Sequence, residues 1–167
     1  MTAALTPGRP FTGSERQLLE NTLQLHRSEL VAAVDGLSDA QARRRLVPSL
    51  TTPISLVKHC AAAERIWFQR TLAARRLEDC TGPAVGGDPS FHVANHETLA
   101  QVIAEYAAAC ATSDEIAAAH TLDDTAHHAI VGTVSLRFIY LGMIGEVARH
   151  AGHADILAEQ IRKNAED

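Results

Sequence analysis

The most constraining feature of this chain is a run of apolar positions near its end. Leu136, Tyr140, Met143, Val147, His150, Ala154, Leu157 and Ile161 follow one another at alternating spacings of four and three. That rhythm keeps a single face of an α-helix turned one way, so residues from about 134 to 163 are expected to form one long amphipathic helix. Arg162 and Lys163 suit its C-terminal dipole. A helix with one apolar face must bury it, and the rest of the chain has to supply the partners.

Three polar residues sit on or beside that face. Glu146, His150 and His153 stand at i, i+4 and i+7, within roughly 60° of one another at about 100° per residue. Carboxylate and imidazole groups turned into a core need partners. An i, i+4 pair on one helical face can grip a divalent ion. With a third ligand from another helix it leaves coordination positions open, as in catalytic zinc sites. His59 is the candidate for that third ligand. The competing reading of the same spacing is a core Glu146–His150 ion pair with His153 at the rim.

The remaining chain supplies three further long helical patterns. Leu19, Leu23, His26, Leu30 and Ala33 or Val34 recur at helical spacing, giving a helix over about 14–35 that Thr12 or Ser14 can cap and Gly36 ends. His26 reads as a rim histidine bonded to a neighbour. Ser38-Asp39-Ala40-Gln41 is a capping-box pattern that starts a short turn over 39–45. Thr52 and Pro53 then suit the cap and first position of a helix over 53–77, whose inward side carries Leu56, His59, Cys60, Ala63, Ile66 and Trp67. Cys60 points about 100° away from His59 and is a poor co-ligand. Trp67 reads as a packing residue. Cys80 to Asn95 is a Gly- and Pro-rich loop, with Phe91 and His92 as anchors, and a helix capped by Asn95 follows over 96–119. The adjacent His127 and His128 cannot share one helical face and read as loop residues. Gly142 and Gly145 interrupt the last helix, at a cost of about 1 kcal/mol each relative to alanine, which suggests close packing there.

Four long helices, no strand pattern and no internal repeat imply an all-α four-helix bundle. The 80–95 loop is long enough for a crossover connection. At 167 residues the chain is expected to be one domain, 1–167, with an irregular arm over 1–13. Net charge is −5 and the basic residues are scattered, so Arg43-Arg44-Arg45 reads as solvated surface and nucleic-acid binding is not expected. Cys60, Cys80 and Cys110 are an odd set without CxxC spacing, which suits a reducing cytoplasm. No 18-residue apolar run suggests a membrane span.

Several blocks resemble the DinB/YfiT-like superfamily of metal proteins, in particular an actinobacterial DinB-like branch related to the mycothiol-dependent maleylpyruvate isomerase. They are Gly36-Leu37-Ser38-Asp39, Pro48-Ser49, Ser55-Leu56-Val57-Lys58-His59 with Glu64 and Trp67, Val134-Ser135-Leu136-Arg137-Phe138, and Glu146-Val147-Ala148-Arg149-His150-Ala151-Gly152-His153-Ala154-Asp155. The resemblance implies a DinB-like bundle, commonly dimeric. Its metal triad maps onto His59, Glu146 and His150, with zinc first and nickel, iron or manganese as alternatives. It also implies a thiol S-transferase that uses mycothiol against a small electrophile, with His153 and Glu64 as candidates for proton handling. His153 then reads as a supporting residue, and Glu64, about 140° around its helix from His59, alternatively as a surface residue. The chain departs from the pattern at Gly142 and Gly145, where polar residues are common. Two other expectations stay open: a non-catalytic metal-binding or stress-associated interaction protein, and a structural dimer without metal.

Overall fold

A computed structural model describes residues 12–164. Each main helix starts where a short polar side chain can take up a free backbone N–H. α1 (Glu15–Val34) is capped by Ser14 with Gln17 reciprocating, and Gly36 follows its end at φ 74°. α2 (Asp39–Ala42) uses Ser38 and Gln41 in the same way. α3 (Pro53–Glu64) has Thr52 as cap and proline in its first turn. α4 (Leu99–Ala118) is capped by Thr98 with Gln101, three residues beyond the expected Asn95. α5 (Leu136–Lys163) starts at Ser135, whose hydroxyl accepts from Phe138 N–H.

Three features differ from the expectation. The second long helix does not run to residue 77 as α-helix: Arg65–Leu72 form a π-helix and the chain leaves helical geometry at Ala73. Ala74 then takes a left-handed φ of 50°. Second, the fold is mainly helical but includes a small antiparallel hairpin. Its strands β1 (Thr125–His128) and β2 (Gly132–Ser135) pair with Thr125 opposite Ser135 and His128 opposite Gly132. The sequence reads as loop here, with the last helix expected from about 134, because strands this short show little alternation. Third, Gly142 and Gly145 are exposed, and a Cβ at either would meet nothing within 4 Å. Close packing does not explain them.

α5 lies between α1 and α3, and α3 packs in turn against α4. Every position of the apolar rhythm in α5 is buried, from Leu136 through Val147 to Ile161. Leu23, Leu30 and Val34 of α1, Leu56, Val57 and Cys60 of α3, and Val102 and Tyr106 of α4 complete the core. Fully burying an aliphatic side chain of this size contributes roughly 1.5–3 kcal/mol. Two charged clusters lie within this framework. Arg27, only 4% exposed, grips the fully buried Glu64 through two bonds of 2.8 Å and reaches Asp114 at 2.7 Å. Lys58 bridges Glu97 and Glu105, and Arg65 also pairs with Glu105. Arg43 is not free surface either, since its guanidinium donates to the carbonyls of Ala94 and Glu97. No helix among the described residues is long and apolar enough to cross a membrane.

Candidate metal centre

His59 on α3 faces Glu146 and His150 on α5. One nitrogen from each ring and one Glu146 oxygen all lie within 4.8 Å of one another. Glu146 Oε1 is the common point, 2.8 Å from His59 Nε2 and 3.2 Å from His150 Nε2. Hydrogen bonds from His150 and then His59 hold the Glu146 carboxyl far below the usual carboxylate range, against the opposing effect of its partial burial.

The loop after α3 determines how His59 presents itself. Gly87, at φ 67°, adopts a conformation open to glycine and starts the short turn Asp88–Phe91. Within that turn the buried Ser90 hydroxyl donates its only proton to Gly87 C=O at 2.5 Å. Toward His59 Nδ1, 2.7 Å away, it can therefore act only as acceptor. This keeps the proton on Nδ1 and leaves the Nε2 lone pair aimed at Glu146. Two acceptors facing each other at 2.8 Å require a cation between them, a proton or a metal ion. A polar partner on the far nitrogen is the usual support of a metal-binding histidine. Phe91 stacks on the other side of the imidazole, with ring centroids 4.2 Å apart and planes 9° from parallel. Phe91 is thus part of the site, beyond the loop-anchor role its sequence position suggests. His150 is 9% exposed, and its Nδ1 is buried without a hydrogen-bond partner.

The other candidates stand apart from this point. His153 is exposed on the next turn of α5, its ring centroid 5.5 Å from that of His150. Glu64 is fully buried, not a surface residue, and its carboxylate is committed to Arg27. Cys60 is buried, and burial pushes its thiol well above the ordinary range, with Glu146 and Glu64 adding to the rise. It is neither a ready thiolate ligand nor a nucleophile. His26 is half-buried and bonded to Glu29 at 2.7 Å. His128 lies on Trp67 with centroids 4.7 Å apart, and its Nδ1 accepts from the N–H groups of Ile130 and Val131. Ser90 had no motif in the sequence. Its only signal was the Gly86-Gly87-Asp88-Pro89 turn that precedes it.

Two imidazoles and one carboxylate are a donor set that suits zinc and also accommodates nickel, iron or manganese. The Ser90-fixed lone pair of His59 fits such an ion. No curated protein matches the chain. The family model for mycothiol-S-transferase matches residues 18–163, from the second turn of α1 to the end of α5. The match takes in all three residues of the cluster, and the chain belongs to this DinB/YfiT-like mycothiol-S-transferase family.

Proposed function

We propose that this protein is a metal-dependent S-transferase that joins the sulfur of mycothiol to a small electrophile, with His59, Glu146 and His150 holding the metal in a DinB-like four-helix arrangement. The observation that carries the reading is the convergence of two ring nitrogens on one Glu146 oxygen, with the His59 lone pair fixed from behind by Ser90. The family match supports the thiol. A divalent ion bound there would stabilise the thiolate and so supply a nucleophile at neutral pH.

The chain's own residues do the rest. Ser90 and Phe91 orient His59, and Glu146, ionised, faces both imidazoles ready to bind a cation. In the reaction a sulfur–carbon bond forms while the electrophile's leaving group departs with its bonding electrons. The thiol proton must go to solvent. We assign its passage to His153, which is exposed beside His150. The Arg27–Glu64 pair serves the fold, since both carboxylate oxygens of Glu64 are already engaged.

Elemental analysis of purified protein, beside His59→Ala and His150→Ala, tests the site. About one ion per chain is expected for the parent and little for either variant. Near-stoichiometric metal in both variants would sink the triad. Mycothiol consumption with an electrophile panel should disappear on chelation. Metal-loaded protein that is inert with mycothiol and every electrophile would instead support a non-catalytic metal-binding protein.

A further inference from the structure

The seam between α3 and α5 continues past the triad. One turn beyond His59 and Glu146 it passes Ala63 and Gly142, and after a second turn it reaches Trp67 and Phe138. The hairpin closes this far end. His128 lies flat on Trp67 at 4.7 Å and 19°, and Phe138 meets Trp67 edge-on at 6.1 Å. Gly86, in the loop that carries Phe91, approaches Ile66 on the same helix.

Three observations bear on this end of the seam, and the fold accounts only for the last. Phe138, one of these three rings, is 47% exposed, and Leu141 on the same helix and Val131 in the hairpin turn are more exposed still. Gly142 opens a gap between Phe138 and Glu146, although glycine is the poorest helix former after proline and nothing packs there. His128 is fixed in place by two backbone N–H groups of the hairpin turn, which spends its Nδ1 acceptor. Together these features make an apolar, ring-lined surface about 12 Å from Glu146, the rise of eight residues of helix. A hydroxyl-rich ring would find few hydrogen-bond partners among Phe138, Leu141 and Val131, whereas an apolar ring loses nothing there.

We infer that Trp67, His128 and Phe138 form a subsite for the apolar ring of the electrophile, and that Gly142 is the clearing through which its chain runs to the reacting carbon at the triad. The inference rests on the S-transferase reading and makes the substrate class specific: an electrophile with an aromatic or similarly flat apolar group two helical turns from its reacting carbon.

Trp67 is the only tryptophan in the chain, so its fluorescence reports occupancy directly. The probes are unreactive N-phenylbutyl- and N-methylpropionamide, titrated into the metal-loaded protein. The phenylbutyl amide should change Trp67 emission and bind at least about tenfold more tightly than the methyl amide. Phe138→Ala and Gly142→Leu should each weaken it about tenfold. Gly142→Leu has open space for its side chain and a better helix former, so it retains the fold. The matching chloroacetamides test turnover with mycothiol: sulfur–carbon bond formation expels chloride with its electron pair, and the thiol proton passes to the buffer. The preference for phenylbutyl over methyl should collapse in Gly142→Leu. Equal affinities for the two amides, a response to mycothiol alone, or a Gly142→Leu variant that changes oligomeric state without changing amide binding would overturn the subsite. If the amides bind as expected and no chloroacetamide reacts, the subsite stands and the S-transferase reading fails.

Discussion

Replacing Ser90 with alanine isolates one atom of the proposed metal centre. The turn that carries Ser90 is held by its backbone N–H to Gly87 C=O at 3.0 Å, which alanine keeps. Phe91 remains stacked on His59 for the same reason. What disappears is the Oγ acceptor 2.7 Å from His59 Nδ1. Two consequences follow. The imidazole proton is free to move to Nε2, which removes the lone pair a metal needs, and the ring gains rotational freedom about its stack on Phe91. Losing such a support behind a metal-binding histidine costs about 10–100-fold in metal affinity, or about 1.4–2.8 kcal/mol. The metal-free protein should lose only about 1 kcal/mol of stability, the net worth of one hydrogen bond. Competition against a chromophoric chelator at neutral pH measures the first quantity, and urea unfolding of metal-free protein the second. An affinity within about twofold of the parent, well short of the expected loss, would refute the argument that Ser90 fixes the His59 lone pair. A large loss of stability in the metal-free variant would show that Ser90 serves the loop first.

Four other outcomes are expected. Arg27→Met strands the fully buried Glu64 carboxylate, so it should cost about 3–5 kcal/mol, while the double change Arg27→Met with Glu64→Leu should recover most of it; thermal unfolding at about 2–4 °C per kcal/mol for a chain this size separates them. Gly145→Ala should stabilise by about 1 kcal/mol, because a methyl group there meets nothing within 4 Å; a lower melting temperature would mean that the helix packs more closely at Gly145. Ala74→Gly should also stabilise, by about 1 kcal/mol, since Ala74 holds a left-handed φ of 50°. The Lys58 cluster sets a pH window. Although burial opposes both charges, Glu105 and Glu97 raise Lys58 above its ordinary 10.5 and Lys58 lowers Glu97 below its ordinary 4.5. The contribution of Glu97 is present above its unfolded value and fades as pH falls through the folded one; that of Lys58 is present below its unfolded value and fades as pH rises through the folded one. Lys58→Met should therefore flatten both limbs of a urea-midpoint profile against pH.

The parts of this molecule legible in the sequence were those set by local periodicity. Every position of the α5 rhythm from Leu136 to Ile161 is buried, with Ile139, Ala151 and Ala158 widening the same stripe, because three- and four-residue spacings are a property of one helix. Ser38 with Gln41, and Thr52 with Pro53, marked helix starts for the same reason. The pair Glu146 and His150 is equally local. What stayed hidden depends on partners distant in sequence. Arg27 sits next to His26, which the apolar spacing favoured, and its burial makes sense only because Glu64 lies opposite it. Ser90 acquires its role from a turn that brings it to His59, 31 residues earlier. The hairpin strands have four residues each, and what they dock on, the core for Ala126 and Val134 and Trp67 for His128, comes from elsewhere in the chain.

The π-helix shows why local reading could not reach the aromatic end of the seam. On an ideal α-helix Trp67, eight residues from His59, would be rotated about 80° away from it. A π turn takes more residues per revolution, so the stretch Arg65–Leu72 turns Trp67 back toward the His59 face. The same stretch leaves Phe68 to meet Tyr140 in the core, with ring centroids 6.0 Å apart. Its widened turn is recorded in two bonds, Thr71 Oγ1 to Ile66 C=O and Ala73 N–H to Phe68 C=O, each spanning five residues. Thr71 is a local contribution to this geometry, and it is ambiguous, since threonine hydroxyls bond back to carbonyls in ordinary helices as well. Thr71→Val tests the link: it removes the back-bond while keeping shape. If the π turn aligns Trp67 with His59, the variant should shift Trp67 emission and weaken phenylbutyl amide binding while metal affinity holds, because His59 lies in the regular α-helical part of the same element. Unchanged emission and unchanged amide binding would show that the hairpin, through His128, fixes Trp67 without help from the π turn.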